Sequence, residues 1–276
     1  MKKLKSLGTI PIFKKNIGKF LNNMPWQILF SGIFQLLLFG RGTMKKLLLC
    51  ACLALVAAAA VSAGDVAVFA DLGFSEDGKT YLFGQYGKTD RDFEAWAEIY
   101  TVDVAQNDYV KNEVYRTPPS KDTEAISGKK AFEDLQAKTN WKTSRYNASP
   151  SSVQSLLYVR KDEHKNPSEE IVFKDFTQAG GDGVKYHVTL VPTFYGSGED
   201  LRSSFYISME QKNKAGDVIS RQTVGSADIK RKCVSGYRIN RIFTDNSKKS
   251  LVFLIEKTVQ DEHGLSIRYM VETIRF

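Results

Sequence analysis

Period-two alternation of apolar and polar residues runs through most of residues 64–276, and it restricts this part of the chain to folds built from half-buried strands. Phe205, Ile207 and Met209 share one side of a strand while Tyr206, Ser208 and Glu210 share the other; near the C-terminus Ile267, Tyr269 and Val271 oppose Arg268, Met270 and Glu272. Further strands are expected at 66–70, 81–85, 96–104, 154–160, 170–173, 186–191, 218–224, 238–243 and 251–256. Turn residues separate them: Asp77-Gly78, Asn166-Pro167, Gly196 to Gly198, Ala215-Gly216-Asp217 and Asn246-Ser247. The expected fold is mainly β, with antiparallel hairpins and a meander in one domain.

One stretch departs from the pattern. Between Pro118-Pro119 and Pro150 the chain is polar, and Ala131, Phe132, Leu135 and Trp141 recur at near-helical spacing. A short helix over about 128–140 is expected there, in an insertion spanning about 118–150 that reads most simply as a solvated excursion from the β scaffold.

The chain carries 39 Lys and Arg against 31 Asp and Glu, a formal charge of +8. Such a balance would suggest an anionic partner, but residues 1–63 hold nine basic side chains and no acidic one. Residues 64–276 are left with 30 basic against 31 acidic residues. With a charge near zero, the short run Lys230-Arg231-Lys232 does not support nucleic-acid binding.

The basic segment has the grammar of an export signal. Met44-Lys45-Lys46 precedes an uncharged stretch from Leu47, and Val61-Ser62-Ala63 stands before Gly64-Asp65. These are a charged n-region, an apolar h-region and a small-residue cleavage site, so residues 44–63 are expected to be a signal peptide cut between Ala63 and Gly64. Residues 1–43 then read as an upstream extension from a start codon assigned too early, forming, where present, an isolated helix. The exported product is expected in the periplasm or outside the cell, with no part of 64–276 spanning a membrane. The alternatives are anchorage through an uncut signal, or through a lipid on Cys52 in Leu49-Cys50-Ala51-Cys52. Cys50 and Cys52 leave with the signal, and Cys233 alone cannot form an intramolecular disulfide.

The two ends of the exported part resemble each other. A shift of 169 residues aligns 74–104 with 243–273 and pairs Phe74 with Phe243, Leu82 with Leu251, Lys88 with Lys257, Tyr100 with Tyr269 and Val102 with Val271. In the first copy, Phe74-Ser75-Glu76-Asp77-Gly78-Lys79 has a physical logic. Phe74 can enter the core, Asp77 can accept from nearby amides, and Gly78 can take the positive φ of a tight turn. That segment, with Tyr81-Leu82-Phe83 and Glu98-Ile99-Tyr100-Thr101-Val102-Asp103-Val104 after it, resembles one blade of a TolB-type β-propeller over about residues 70–104. The resemblance implies a propeller-like arrangement; a β-sandwich of the same hairpins is the alternative. More broadly, the signal segment and the opening from Gly64 to Gly84 resemble a family of predicted secreted proteins of unknown function found in spirochaetes. This likeness implies export and supplies no activity.

No catalytic or metal-binding constellation stands out, and no cofactor is expected. His164, His187 and His263 lie apart from one another. Tyr195-Gly196-Ser197-Gly198 lacks the Gly-x-Ser-x-Gly pattern of a nucleophile elbow and reads as a turn. Gly180-Gly181-Asp182-Gly183 has neither the register nor the following helix of a phosphate loop. The carboxylates Asp90, Asp92, Glu94, Glu169, Glu170, Glu199 and Asp200 read as surface charge. The expected function is a non-catalytic binding or structural role in the cell envelope, toward an envelope component or extracellular ligand. The alternative is an envelope hydrolase of glycans or esters, which would require a close pair of buried carboxylates.

Overall fold

The computed structural model describes residues 65–161, 169–177, 183–261 and 264–276. The leader, the Ala63/Gly64 junction, Cys50, Cys52, His164, His263, the Asn166-Pro167 turn and Gly180 to Asp182 lie outside the described residues.

Among the described residues, thirteen strands form three antiparallel sheets. The first is a meander of β1 (Val68–Phe74), β2 (Thr80–Lys88), β3 (Ala95–Asp103) and β4 (Asp108–Thr117). The second contains β6 (Ile171–Lys174), β7 (Lys185–Tyr195), β8 (Arg202–Lys212) and β9 (Val218–Val224), with the two-residue β10 (Arg231–Lys232) beside the start of β8. The third runs in the order β13 (Gly264–Arg275), β12 (Ser250–Asp261), β11 (Val234–Thr244), β5 (Leu156–Val159). The mainly β, antiparallel expectation holds. Strand β4 was not anticipated, because it buries only Glu113 among its ten residues and carries no apolar alternation.

The third sheet is the middle layer. Along β12, Leu251, Phe253 and Ile255 pack against Val188, Leu190, Phe205 and Ile207 of the second sheet. Val252 and Leu254 point the other way, onto Tyr81, Phe83, Tyr100 and Val102 of the first. All five β12 residues have no exposed surface. A strand covered on both faces reads as a continuous apolar run, which is why Leu251-Val252-Phe253-Leu254-Ile255 lacks the alternation of its neighbours.

The first sheet is covered on its other face by the helix α1 (Gly128–Thr143), the one α-helix among the described residues. Ser127 caps it, its Oγ accepting from Lys130 N–H at 3.1 Å. Ala131, Phe132 and Leu135 pack on Ala95, Ala97 and Ile99. The fit depends on Gly84, where an added Cβ would come within 2.2 Å of the Phe132 ring. The insertion is therefore part of the packed structure rather than a solvated excursion. Trp141, which the spacing placed with the apolar set, is instead 74% exposed, with Lys142 Nζ 4.9 Å above its ring.

The segment 74–79 behaves as its sequence suggests. Phe74 is buried against Tyr81, Gly78 has φ +66°, and the Asp77 carboxylate accepts from Lys79 N–H at 3.0 Å and from Ser75 Oγ at 2.8 Å. Those two donors hold its pKa below the ordinary carboxylate value. The corresponding turn follows β11. Ser75 N–H donates to Thr80 O and Gly78 N–H to Ser75 O; likewise Asp245 N–H donates to Ser250 O and Lys248 N–H to Asp245 O. Ser75 thus corresponds to Asp245 and Gly78 to Lys248, an offset of 170, one more than the gapless sequence shift. Lys248 takes the same left-handed conformation, with φ +57°. Ser75 Oγ accepts the Thr80 N–H at 3.0 Å, and Asp245 Oδ1 accepts the Ser250 N–H at 2.7 Å.

Candidate functional site

Strand β13 is an edge of the middle sheet, and an edge leaves a row of backbone groups in need of partners. Ile267 N–H donates to Asp65 O at 2.8 Å, Tyr269 N–H to Gln85 Oε1 at 2.8 Å, and Thr273 N–H to Asn107 Oδ1 at 2.6 Å. Two side-chain amides of the first sheet and one backbone carbonyl close most of the edge without another strand.

Alongside the Met270–Glu272 part of β13 lies a cleft of about 770 Å3, within the size range of small-molecule sites. One wall is Val102 with the β3–β4 turn, notably Asn107 and Tyr109. The opposite wall follows β9, with Gly225, Ile229, Arg231 and Lys232; the middle sheet supplies Lys257, Val259, Met270, Val271 and Glu272. All three sheets contribute, so strands distant in sequence are needed to assemble it.

The polar groups of the cleft differ in how they are satisfied. Glu272 accepts from Asn107 Nδ2 and lies 3.2 Å from an Arg231 nitrogen. Burial raises its pKa, and the Asn107 and Arg231 contacts oppose the rise. The Arg231 guanidinium also stacks 4.8 Å above the Phe205 ring. The Tyr109 hydroxyl is pushed up to about 12 by desolvation and then by the Glu272 carboxylate, although the residue retains 40% of its exposure. Lys257 is the exception. Among the described residues its Nζ has no hydrogen-bond or ion-pair partner. Its pKa is pulled down to about 8, first by desolvation and then by repulsion from Arg231 and Arg268, with Glu98 acting in the opposite sense.

Elsewhere four buried or half-buried carboxylates are held by arginines, while buried Asp175 accepts from Thr177 and buried Asp245 from the Ser247, Lys249 and Ser250 amides. Glu98 faces Arg116 at 3.0 Å and Asp65 faces Arg268 at 2.6 Å; Glu256 accepts from Arg238 Nε at 2.6 Å, and Glu113 is paired with Arg145. Asp90, Asp92, Glu169, Glu170, Glu199 and Asp200 are exposed and Glu94 is half-buried, in keeping with surface charge. His187 is half-buried on β7, with Nδ1 3.0 Å from Glu170 Oε1 but without the alignment of a hydrogen bond. Gly196 and Gly198 form the β7–β8 turn with positive φ. Cys233 is a free, half-buried thiol at the junction of β10 and β11.

A second cavity of about 230 Å3 is lined by Ser75, Asn147, Ser149 and Ser151. The cleft at β13 is larger and combines apolar surface with charge. Sequence reasoning placed Arg231 in a basic run and Lys257 in the repeat, without bringing them together. The apolar run Leu251 to Ile255, followed by Glu256-Lys257, was the available signal for charge at the rim of the core.

No curated protein matches the chain. A family model described as a predicted secreted protein matches residues 82–275, well over half of the sequence and including every strand that lines the cleft. The chain belongs to this family of predicted secreted proteins, DUF2259.

Proposed function

We propose that this protein acts beyond the cytoplasmic membrane as a non-catalytic binding module of the cell envelope, and that the cleft beside β13 is its binding site. The charge partition, the signal-like segment 44–63 with its Ala63-Gly64 junction, and membership of a family described as secreted all favour export. No helix among the described residues is long and apolar enough to cross a membrane. A soluble periplasmic or released form fits these observations better than lipid attachment at Cys52.

The observation that carries the binding role is the contrast inside and around the cleft. Its buried carboxylate, Glu272, is tied to Arg231 and Asn107, whereas its amine, Lys257, lines the cavity with no hydrogen-bond or ion-pair partner among the described residues. Paired carboxylates are poor candidates for acid–base work, and an unpaired amine beside apolar walls suits recognition. The test is to screen the exported protein against glycan and ester substrates while following its thermal stability. Stabilisation by envelope-derived compounds without turnover is expected. Turnover abolished by a single Asp or Glu substitution would establish the hydrolase instead.

A further inference from the structure

Resting on that reading of the cleft, the geometry points to its ligand class: we infer that the site takes an amphiphilic monocarboxylate of the fatty-acid type, its carboxylate on Lys257 and its chain against Val234, Val259 and Met270.

Three observations support this assignment. First, the cation is half-buried and has no hydrogen-bond or ion-pair partner among the described residues, with Glu98 the one acidic group acting on it from a distance. Arg231 is engaged by Glu272 and stacked on Phe205, and Lys232 is exposed at the rim, which leaves Lys257 as the inward cation among the described residues without a partner. A desolvated ammonium next to two guanidinium groups is costly unless a negative charge joins it. Second, the number of charges is limited. Glu272 and Asp108 also line the cleft and would repel a dianion, whereas one carboxylate matches one free ammonium. Third, part of the lining is apolar: Val234, Val259, Met270 and Val271 stand beside Lys257, while Gln106, Asn107 and Ser226 are the uncharged polar groups. Val234 and Met270 belong to the buried core and Val259 packs against it, so a hydrocarbon chain would extend a surface that is already continuous.

The charges that face Lys257 are Arg231 and Arg268, which repel its proton, and Glu98, which attracts it. Its pKa near 8 means that it is protonated at pH 7 and largely neutral at pH 9.5. Tyr109, pushed up to about 12, does not ionise over that range.

Calorimetric titration of the exported protein with dodecanoate, dodecanol and dodecyltrimethylammonium tests the assignment. Dodecanoate is expected to bind at pH 7, with affinity falling at least about tenfold in Lys257→Met and again at pH 9.5 in the unaltered protein. Lys257→Arg should retain most of the binding. Dodecanol should bind more weakly and be indifferent to both changes. Equal binding of dodecanoate and dodecanol, or dodecanoate binding insensitive to Lys257→Met and to pH, would overturn the inference. Binding of the neutral or cationic amphiphile without dodecanoate would refute the ligand class while leaving a binding cleft. Silence from all three would count against the cleft as a binding site altogether. The pH series needs no substitution, so a variant that fails to fold leaves the test intact.

Discussion

Asn107 closes the open edge of β13 at Thr273. Its Oδ1 accepts the Thr273 backbone N–H at 2.6 Å while its Nδ2 donates to the Glu272 carboxylate. Asn107 itself adopts φ +54° in the β3–β4 turn, a conformation that asparagine tolerates better than most residues. One side chain therefore fixes a turn of the first sheet, the edge of the middle sheet and a wall of the cleft.

Asn107→Ala strands the Thr273 N–H and removes a donor from Glu272. The expected loss is about 1–3 kcal/mol in urea unfolding. Asn107→Asp restores the acceptor but sets a carboxylate beside Glu272, so it should lose stability as pH rises through the carboxylate range, which Asn107→Ala should not. Equal pH profiles for the two variants would contradict this role.

The two matched turns give opposite glycine predictions. Lys248 occupies the left-handed position that Gly78 fills in the other copy, and Lys248→Gly should stabilise the protein by up to about 1 kcal/mol. Gly78→Ala should destabilise it by more than about 1 kcal/mol, because φ is positive there and the new Cβ would lie 2.4 Å from Asp245 Oδ2. Thermal melts of the two variants should shift in opposite directions.

Much of the scaffold was legible in local sequence. Alternation found β8, whose Phe205, Ile207 and Met209 are buried, and the spacing of Ala131, Phe132 and Leu135 found α1. The signal failed at β4, where a strand in the first sheet presents mostly polar side chains, and at Trp141, whose helical spacing did not imply burial. The cleft was not legible. Asn107, Arg231, Lys257 and Glu272 come from a turn and three separate strands, and their juxtaposition depends on stacking three sheets, which no local period encodes.

Burial on both faces of the middle sheet predicts that adjacent β12 positions are equally intolerant of truncation. Phe253→Ala and Leu254→Ala point into different cores, and each should cost about 2–5 kcal/mol. In a sheet with one solvated face, one of the pair would be nearly silent. Val153→Ala, at a position 88% exposed, serves as the control and should lie within about 0.5 kcal/mol of the unaltered protein.

Lys257 also sets a pH dependence of stability. Its folded pKa, near 8, lies below the unfolded lysine value. Below about pH 8 both states are protonated and the full cost of burying the charge is present. From about pH 8 to 10.5 the unfolded chain binds more protons, so this contribution to stability rises with pH. Lys257→Met should abolish that rise and increase stability at pH 7, as read from urea midpoints at pH 7, 8, 9 and 10.

The most direct measurement is the titration of the Lys257 side chain itself, followed by the 13C shift of its Cε in the exported protein with and without dodecanoate. A midpoint near 8 in the free protein, moving upward when the carboxylate binds, is the expected result. A midpoint in the ordinary lysine range that dodecanoate leaves unchanged would contradict both the buried amine and the site built around it.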